Sequence, residues 1–251
     1  MDNFHKNNLY LPNEIFADFN ENISSSRHVA FAYAYYYYIV YLYRYCEYAC
    51  NAKIMTQSQL KEDLGYSPSQ KSLDYIIKKN GLLDRMGYTA STKDYPVSYS
   101  INDSILEFRT ISQCATTLNR GKLHKNLSIK IPIKSFHRTN GSKVEQLLDG
   151  TYYEFENTHK VSPATFFDMM KDNDEYGVMA FYIYGYLKWK SDIYRGGYDV
   201  TERQLADDLK IDKGTLKKYL KNMDGKYIRV ITGTSGIGSD RKSSSYMIID
   251  R

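Results

Sequence analysis

The sequence predicts an α+β chain, mainly helical, built as two related domains, each with two capped helices ahead of a β-hairpin. Three observations carry this expectation. Thr56-Gln57-Ser58-Gln59-Leu60 recurs as Thr201-Glu202-Arg203-Gln204-Leu205; in each, a Thr can cap a helix while a Gln three residues on reaches back to the Thr amide. Ile129–Phe136 (IKIPIKSF) repeats the proline and phenylalanine spacing of Leu9–Phe16 (LYLPNEIF), and Ala180–Tyr184 echoes Ala30–Ala34. Each capped pair is followed by two strand-like runs separated by a polar loop. Landmarks recurring in one order, with a period of about half the chain, imply a duplicated domain rather than a solenoid. The expected division is 1–110, a linker at 111–128, and 129–251 with an insertion at 137–178.

In chain order, Leu9–Phe16 reads as an extended segment broken by Pro12, which cannot continue a central ladder. Asn20–Ser26 is turn-rich. Ala30–Cys50 (AFAYAYYYYIVYLYRYCEYAC) reads as a core helix with Phe31, Tyr35, Ile39, Leu42 and Cys46 along a buried stripe. The run approaches bilayer-spanning length, but its hydroxyls, Arg44 and Glu47 oppose a membrane reading; stacking of its tyrosines on single-stranded bases is the other alternative. Met55 with Leu60 forms a hydrophobic staple ahead of the first helix. Ser67-Pro68 then caps a second helix over 69–79 that buries Leu73, Ile76 and Ile77, turns Gln70, Lys71, Asp74 and Lys78 outward, and stops at Asn80-Gly81. Leu82–Thr89 and Val97–Ile101 read as a hairpin whose loop holds Lys93. Ile105–Phe108 suits either a strand or a helix, and Ser112–Asn126 is a polar, basic connection with Arg120, Lys122, His124 and Lys125.

The second half carries expected helices over Pro163–Lys171 and Tyr176–Lys190, a strand at Tyr198–Val200 and the capped helix to Leu209, with Val200 and Leu205 as its staple. Asp212 caps a helix that buries Leu216 and Leu220 and exposes Lys213, Lys217, Lys218 and Lys221, with no acid before Asp224. A solvated surface helix normally mixes signs, so a face of one sign suits an anionic partner. Strands at Tyr227–Thr232 and Ser245–Ile249 flank the loop 233–242, which holds Arg241 and Lys242. Helix, turn, helix and hairpin together make a winged helix-turn-helix, here expected twice in tandem.

Composition bounds the function. The 251 residues are 42% hydrophobic and 25% charged with a net charge of +5, which suits packed cores and tolerates a polyanionic partner. Three cysteines without staple or metal-site spacing point to a reduced, cytoplasmic chain, and Met1–Asn8 shows no cleavable signal pattern. The Gly-rich loop 233–242 lacks the Gly-Lys-Ser/Thr ending of a phosphate-binding loop and does not lead from a strand into a helix. His5, His28, His124, His137 and His159 sit in different segments, none near a nucleophile motif, and Asp172, Asp174 and Glu175 read as a solvated loop. The expectation is a non-enzymatic protein without cofactor, metal or membrane anchor.

Thr56–Lys79 and Thr201–Asn222, two helix-turn-helix signatures in one chain of this size, resemble the tandem winged-helix proteins of plasmids and phages, in particular plasmid replication initiators. That resemblance implies a replication initiator or transcription regulator that binds double-stranded DNA, homodimerises, or engages replication or transcription machinery. On this reading Ser69, Gln70, Lys71, Asp74, Lys78 and Lys93 in the first domain face DNA. In the second, Lys213, Thr215, Lys217, Lys218, Lys221, Arg241 and Lys242 do so. Two alternatives stand beside it. One is an adaptor in which only the second domain binds DNA while Tyr75, Tyr88, Tyr95 and Tyr99 form an aromatic contact surface. The other is an enzyme with a carboxylate site in the insertion.

Overall fold

A computed structural model describes residues 8–50, 53–102, 105–114, 127–136, 140–145, 157–232 and 243–249. The elements in order are β1 (Leu9–Pro12), α1 (Ile15–Asn22), α2 (Ser26–Arg44), β2 (Ala49–Cys50), β3 (Lys53–Ile54), α3 (Gln57–Asp63), α4 (Asp74–Ile77), α5 (Leu82–Arg85), β4 (Ala90–Thr92), β5 (Pro96–Asn102), β6 (Ile105–Thr110) and α6 (Ile111–Cys114). Then come β7 (Ile129–Ile131), α7 (Ile133–Phe136), α8 (Asn140–Glu145), β8 (Thr158–Val161), α9 (Pro163–Lys171), α10 (Gly177–Ile193), β9 (Tyr198–Val200), α11 (Glu202–Leu209), α12 (Lys213–Met223), β10 (Ile228–Thr232) and β11 (Ser244–Ile248). Helices alternate with small antiparallel sheets, so the architecture is α+β.

Contacts divide the chain into two units, residues 1–12 with 35–156 and residues 13–34 with 157–251. Residues 13–34 and 129–136 therefore fall in the opposite unit from the one a linear division at 111–128 gives them. The unit boundary runs within α2.

The part of α2 in the first unit, from Tyr35 on, is buried almost all round rather than along one stripe, and the helix ends at Arg44, short of Cys50, with Cys46 in a left-handed conformation (φ 59°). The tyrosines tolerate this because their hydroxyls find partners. Tyr35 donates to Gln57 Oε1 (2.8 Å), Tyr38 to Asp63 Oδ2 (2.8 Å) and Tyr48 to Lys130 O (2.7 Å), while Tyr36 pairs with Ser135 Oγ (2.7 Å). Burial pushes the phenols of Tyr35, Tyr38 and Tyr48 far above their ordinary range, so they remain hydroxyls. Among the described residues no helix is long and apolar enough to cross a membrane.

The expected hairpin of 82–89 with 97–101 does not form. Asn80 takes a left-handed φ of 58° and its N–H donates to Asp84 Oδ2 (2.9 Å), which starts the helical turn α5 instead. β5 pairs with β6 (Tyr99 opposite Phe108), and β4 pairs with β7 (Ser91 opposite Lys130). The second pairing brings the Lys130 ammonium, 2% exposed as a residue, onto both Asp84 carboxylate oxygens (2.7 Å each) and Lys78 O (3.1 Å). Burial pulls this ammonium below its ordinary pKa and the Asp84 carboxylate pulls it back up.

The second unit is organised on α10, whose residues Gly177 to Lys188 are all buried. Against it lie β8, α9, β9, α12 and β11. Phe16 stacks on Trp189 (5.4 Å, 4°), and Phe166 and Tyr33 both meet Phe181 (5.0 and 5.4 Å). β11 lies between β9 and β10 in one antiparallel sheet, with Ile228 opposite Ile248 and Ser244 opposite Val200. His159 is fully buried here, its Nδ1 on Asn13 Oδ1 (2.9 Å) and its Nε2 on the Tyr33 hydroxyl (2.8 Å). Burial, reinforced by the Lys188 charge, depresses its pKa from 6.5 to about 3.

Two stability tests follow. Asp84→Ala strands the Lys130 charge in the interior and costs about 3–5 kcal/mol in urea unfolding, whereas the apolar pair Asp84→Leu with Lys130→Met recovers most of that loss. For His159, the unfolded chain takes up a proton below pH 6.5 that the folded chain refuses down to about pH 3. Its contribution is therefore full above pH 6.5 and is eroded as pH falls through that window. His159→Gln removes this part of the slope of thermal midpoint against pH, so the variant and the parent converge on acidification.

Candidate nucleic-acid interface

The helix pair α11–α12 is set up by its termini. Thr201 Oγ1 accepts from the Gln204 N–H (3.1 Å), and Gln204 Nε2 donates to Asp208 Oδ1 (2.8 Å), but Gln204 Oε1 does not accept from the Thr201 N–H, so only half of the expected reciprocal cap is made. The α11 end is closed by paired bonds, Ile211 N–H to Ala206 O (3.0 Å) and Lys210 N–H to Asp207 O (3.1 Å), with Lys210 left-handed (φ 52°). Asp212 then caps α12 through Oδ1 to the Gly214 N–H (2.8 Å) and Oδ2 to the Thr215 N–H (2.9 Å). Hydrogen bonds from Thr215 and Gly214 hold the exposed Asp212 carboxyl below the usual carboxylate range.

Leu216, Leu220 and Met223 anchor α12 inward, leaving Lys213, Gly214, Lys217, Lys218 and Lys221 exposed and Thr215 half-buried. Lys213, Lys217 and Lys221 follow one another at four-residue spacing along one ridge, an arrangement that repels itself by a few tenths of a kcal/mol per pair. None of these lysines has an ion-pair partner among the described residues; Lys218 lies over the Tyr219 ring at 5.4 Å. An open cleft beside the pair is lined by Thr201, Arg203, Gln204 and Lys213 together with Ser243 and the sheet residues Thr232 and Ser244, and by the acids Asp199, Glu202 and Asp207. Arg241 and Lys242 lie outside the described residues, as do His5, Arg120, Lys122, His124, Lys125 and His137.

The equivalent segment of the first unit differs. Thr56 Oγ1 accepts from the Gln59 N–H (3.2 Å), again without the reach-back, and Ser67-Pro68 caps no helix. In place of a helix over 69–79 there is a 3₁₀ turn at Lys71–Leu73 and the single turn α4. The cause is Lys61, which is buried and donates to Gln70 O (2.7 Å) and to the Asp74 carboxylate (2.5 Å). Gln70 O is the acceptor that a continuous helix needs for the Asp74 N–H, which bonds Lys71 O instead. Asp74 is thus held by Lys61, Gln70 donates to Ser72 Oγ (3.1 Å) and Ser69 pairs with Ser67 (3.0 Å). Lys71, Lys78 and Lys93 are exposed, the first in the 3₁₀ turn, the second just past α4 and the third just past β4. Of the four tyrosines expected to form a contact surface, Tyr88 and Tyr95 are fully buried, and only Tyr75 and Tyr99 reach the surface.

Lys61 and Lys210 escaped notice in the sequence because a lone lysine near a helix end carries no signal of where its ammonium goes. Among the described residues no group of three His, Cys, Asp or Glu side chains could hold a metal ion.

If Asp212 sets the start of α12, then Asp212→Ala lowers the thermal midpoint and the helical circular-dichroism signal, while Asp212→Asn, which keeps an acceptor, leaves both near the parent values. Compared with known proteins, the chain matches no family model, no curated protein and no solved structure.

Proposed function

We propose that the chain is a non-enzymatic, sequence-specific binder of double-stranded DNA, with α11 and α12 as a winged helix-turn-helix and α12 as its recognition helix. The observation that carries this reading is the exposed α12 face, with lysines at 213, 217, 218 and 221, no acid between its two ends and no internal ion pair. A phosphate backbone relieves the repulsion stored there and releases counterions on binding. The helix order α10, α11, α12 and the antiparallel order β10-β11-β9 support the same reading, since three helices backed by a small antiparallel sheet are the parts of a winged helix-turn-helix. Thr215, next to the capped N-terminus, is the candidate for base contact.

A specific observation favours restricting DNA reading to the second unit. The first copy offers one short α-turn and a 3₁₀ turn, with Asp74 held by Lys61, in place of a groove-length helix. The first unit then serves as the partner-binding half of a replication initiator or transcription regulator of the plasmid or phage type, in keeping with the resemblance of Thr201–Asn222.

Fluorescence anisotropy on random duplex, on single strand and on the duplex that the chain enriches from a random library tests this. Lys217→Ala and Lys218→Ala each weaken binding to every duplex and reduce the slope of log affinity against log salt by about 0.9. Thr215→Ala changes base preference, and Lys71→Ala changes neither. Equal, weak binding to all three nucleic acids would defeat the reading.

A further inference from the structure

The end of α11 is closed in the same way as the end of α3, with one difference. In the first copy the Tyr66 N–H reaches Lys61 O (2.8 Å) and the Gly65 N–H reaches Glu62 O (2.9 Å), with Gly65 at a φ of 81°. In the second, Ile211 and Lys210 make the matching bonds, and the left-handed position is a lysine. Glycine takes that conformation freely, whereas a side chain crowds the neighbouring carbonyl. A lysine kept where the other copy uses glycine calls for a role for its side chain.

That role is visible in the second unit. Lys210 Nζ donates to Asn20 O (2.6 Å) at the end of α1. The buried Asn20 side chain closes the clamp from the other side, donating to Asp208 O (3.1 Å) in the last turn of α11 and sharing a hydrogen bond with the Tyr182 hydroxyl on α10 (3.1 Å). Lys210 from the turn, the Asp208 carbonyl from the end of α11 and Tyr182 from α10 converge on Asn20, which lies 190 positions from Lys210 in sequence. The turn they grip is the only covalent link between α11 and α12, so it sets the angle at which α12 leaves the helix pair.

We infer that Lys210 and Asn20 are positioning residues for DNA reading: they fix the α11–α12 turn against α1, and so hold α12 at the angle needed for base contact. The inference rests on the proposed DNA reading. On this account the DNA-reading module includes residues 13–34, and the Lys210 ammonium is occupied within the protein rather than spent on a phosphate.

Lys210→Gly in the full chain tests it, because it copies the first unit's solution. The variant relieves the left-handed conformation, so its thermal midpoint matches or exceeds the parent's. Affinity for the library-enriched duplex nevertheless falls about tenfold, within the cost of one misplaced base contact, while affinity for random duplex and the salt slope stay unchanged. Asn20→Ala, measured well below its own thermal midpoint, lowers the same specificity ratio. A merely structural clamp would lower stability and both affinities together, and a direct phosphate contact by Lys210 would cut the salt slope by about 0.9; either result overturns the inference. Sensitivity to Lys217→Ala with indifference to Lys210→Gly overturns the inference alone, whereas a parent chain that enriches no duplex overturns the reading beneath it.

Discussion

The second unit depends on how closely other elements can approach α10. That helix is buried from Gly177 to Lys188, so whatever touches it is fixed in position by side-chain packing rather than by covalent links. One close approach is at Gly185. A Cβ built there would lie 2.0 Å from the Tyr33 hydroxyl, so the absent side chain is what admits the ring. The same ring holds Nε2 of His159, and the other imidazole nitrogen meets Asn13. One missing methyl group therefore underlies a fully satisfied buried polar network, and α12 takes its place against the same α10 scaffold.

The two capped helix pairs show how one local pattern reaches different electrostatic ends. Both start on a Thr cap and both close their first helix with the same pair of backbone bonds. Five residues after the Thr56 cap stands Lys61, and five residues after the Thr201 cap stands Ala206. The lysine is buried, spends its charge on Gln70 O and Asp74, and breaks the following helix at the point where its carbonyl is taken. The alanine leaves the second turn free to run into an eleven-residue α12 with its lysines outward. Lys61 is thus one difference between the two segments, beside the lysines at 213, 217, 218 and 221 that make the second a cationic face.

Local signals were legible in the sequence and non-local ones were not. Pro163 behind Ser162, the β-prone Tyr198–Val200 and the capped, glycine-free stretch from Thr215 to Met223 each contain their own instructions, and α9, β9 and α12 formed where those instructions placed them. The hairpin expected at 82–89 failed because Asp84, 46 residues from Lys130 in sequence, is worth more as the partner of a buried ammonium and of the Asn80 amide than as part of a strand. The tyrosine run was readable as core, but not as core on all sides. Its burial depends on Gln57, Asp63, Lys130 and Ser135 arriving with hydrogen-bonding groups, which no periodicity within the run can announce. For the candidate interface, the lysine face of α12 was legible, while the geometry that orients it was not.

That asymmetry has a physical origin. Charge on a helix face is written in consecutive residues, because a period of 3.6 maps sequence directly onto surface. The angle of the helix is written in its packing against α10 and in the residues that grip its preceding turn, here Lys210, at a conformation its residue type disfavours, and Asn20, from the far end of the chain. Phosphate attraction tolerates a loosely held helix because it is long-ranged and has no sequence content. Base readout does not, because hydrogen bonds to base edges weaken within a few tenths of an ångström and outside a narrow angle. On the proposed reading, the lysine face governs how tightly DNA is held, and the clamp on α1 governs whether sequence is read at all.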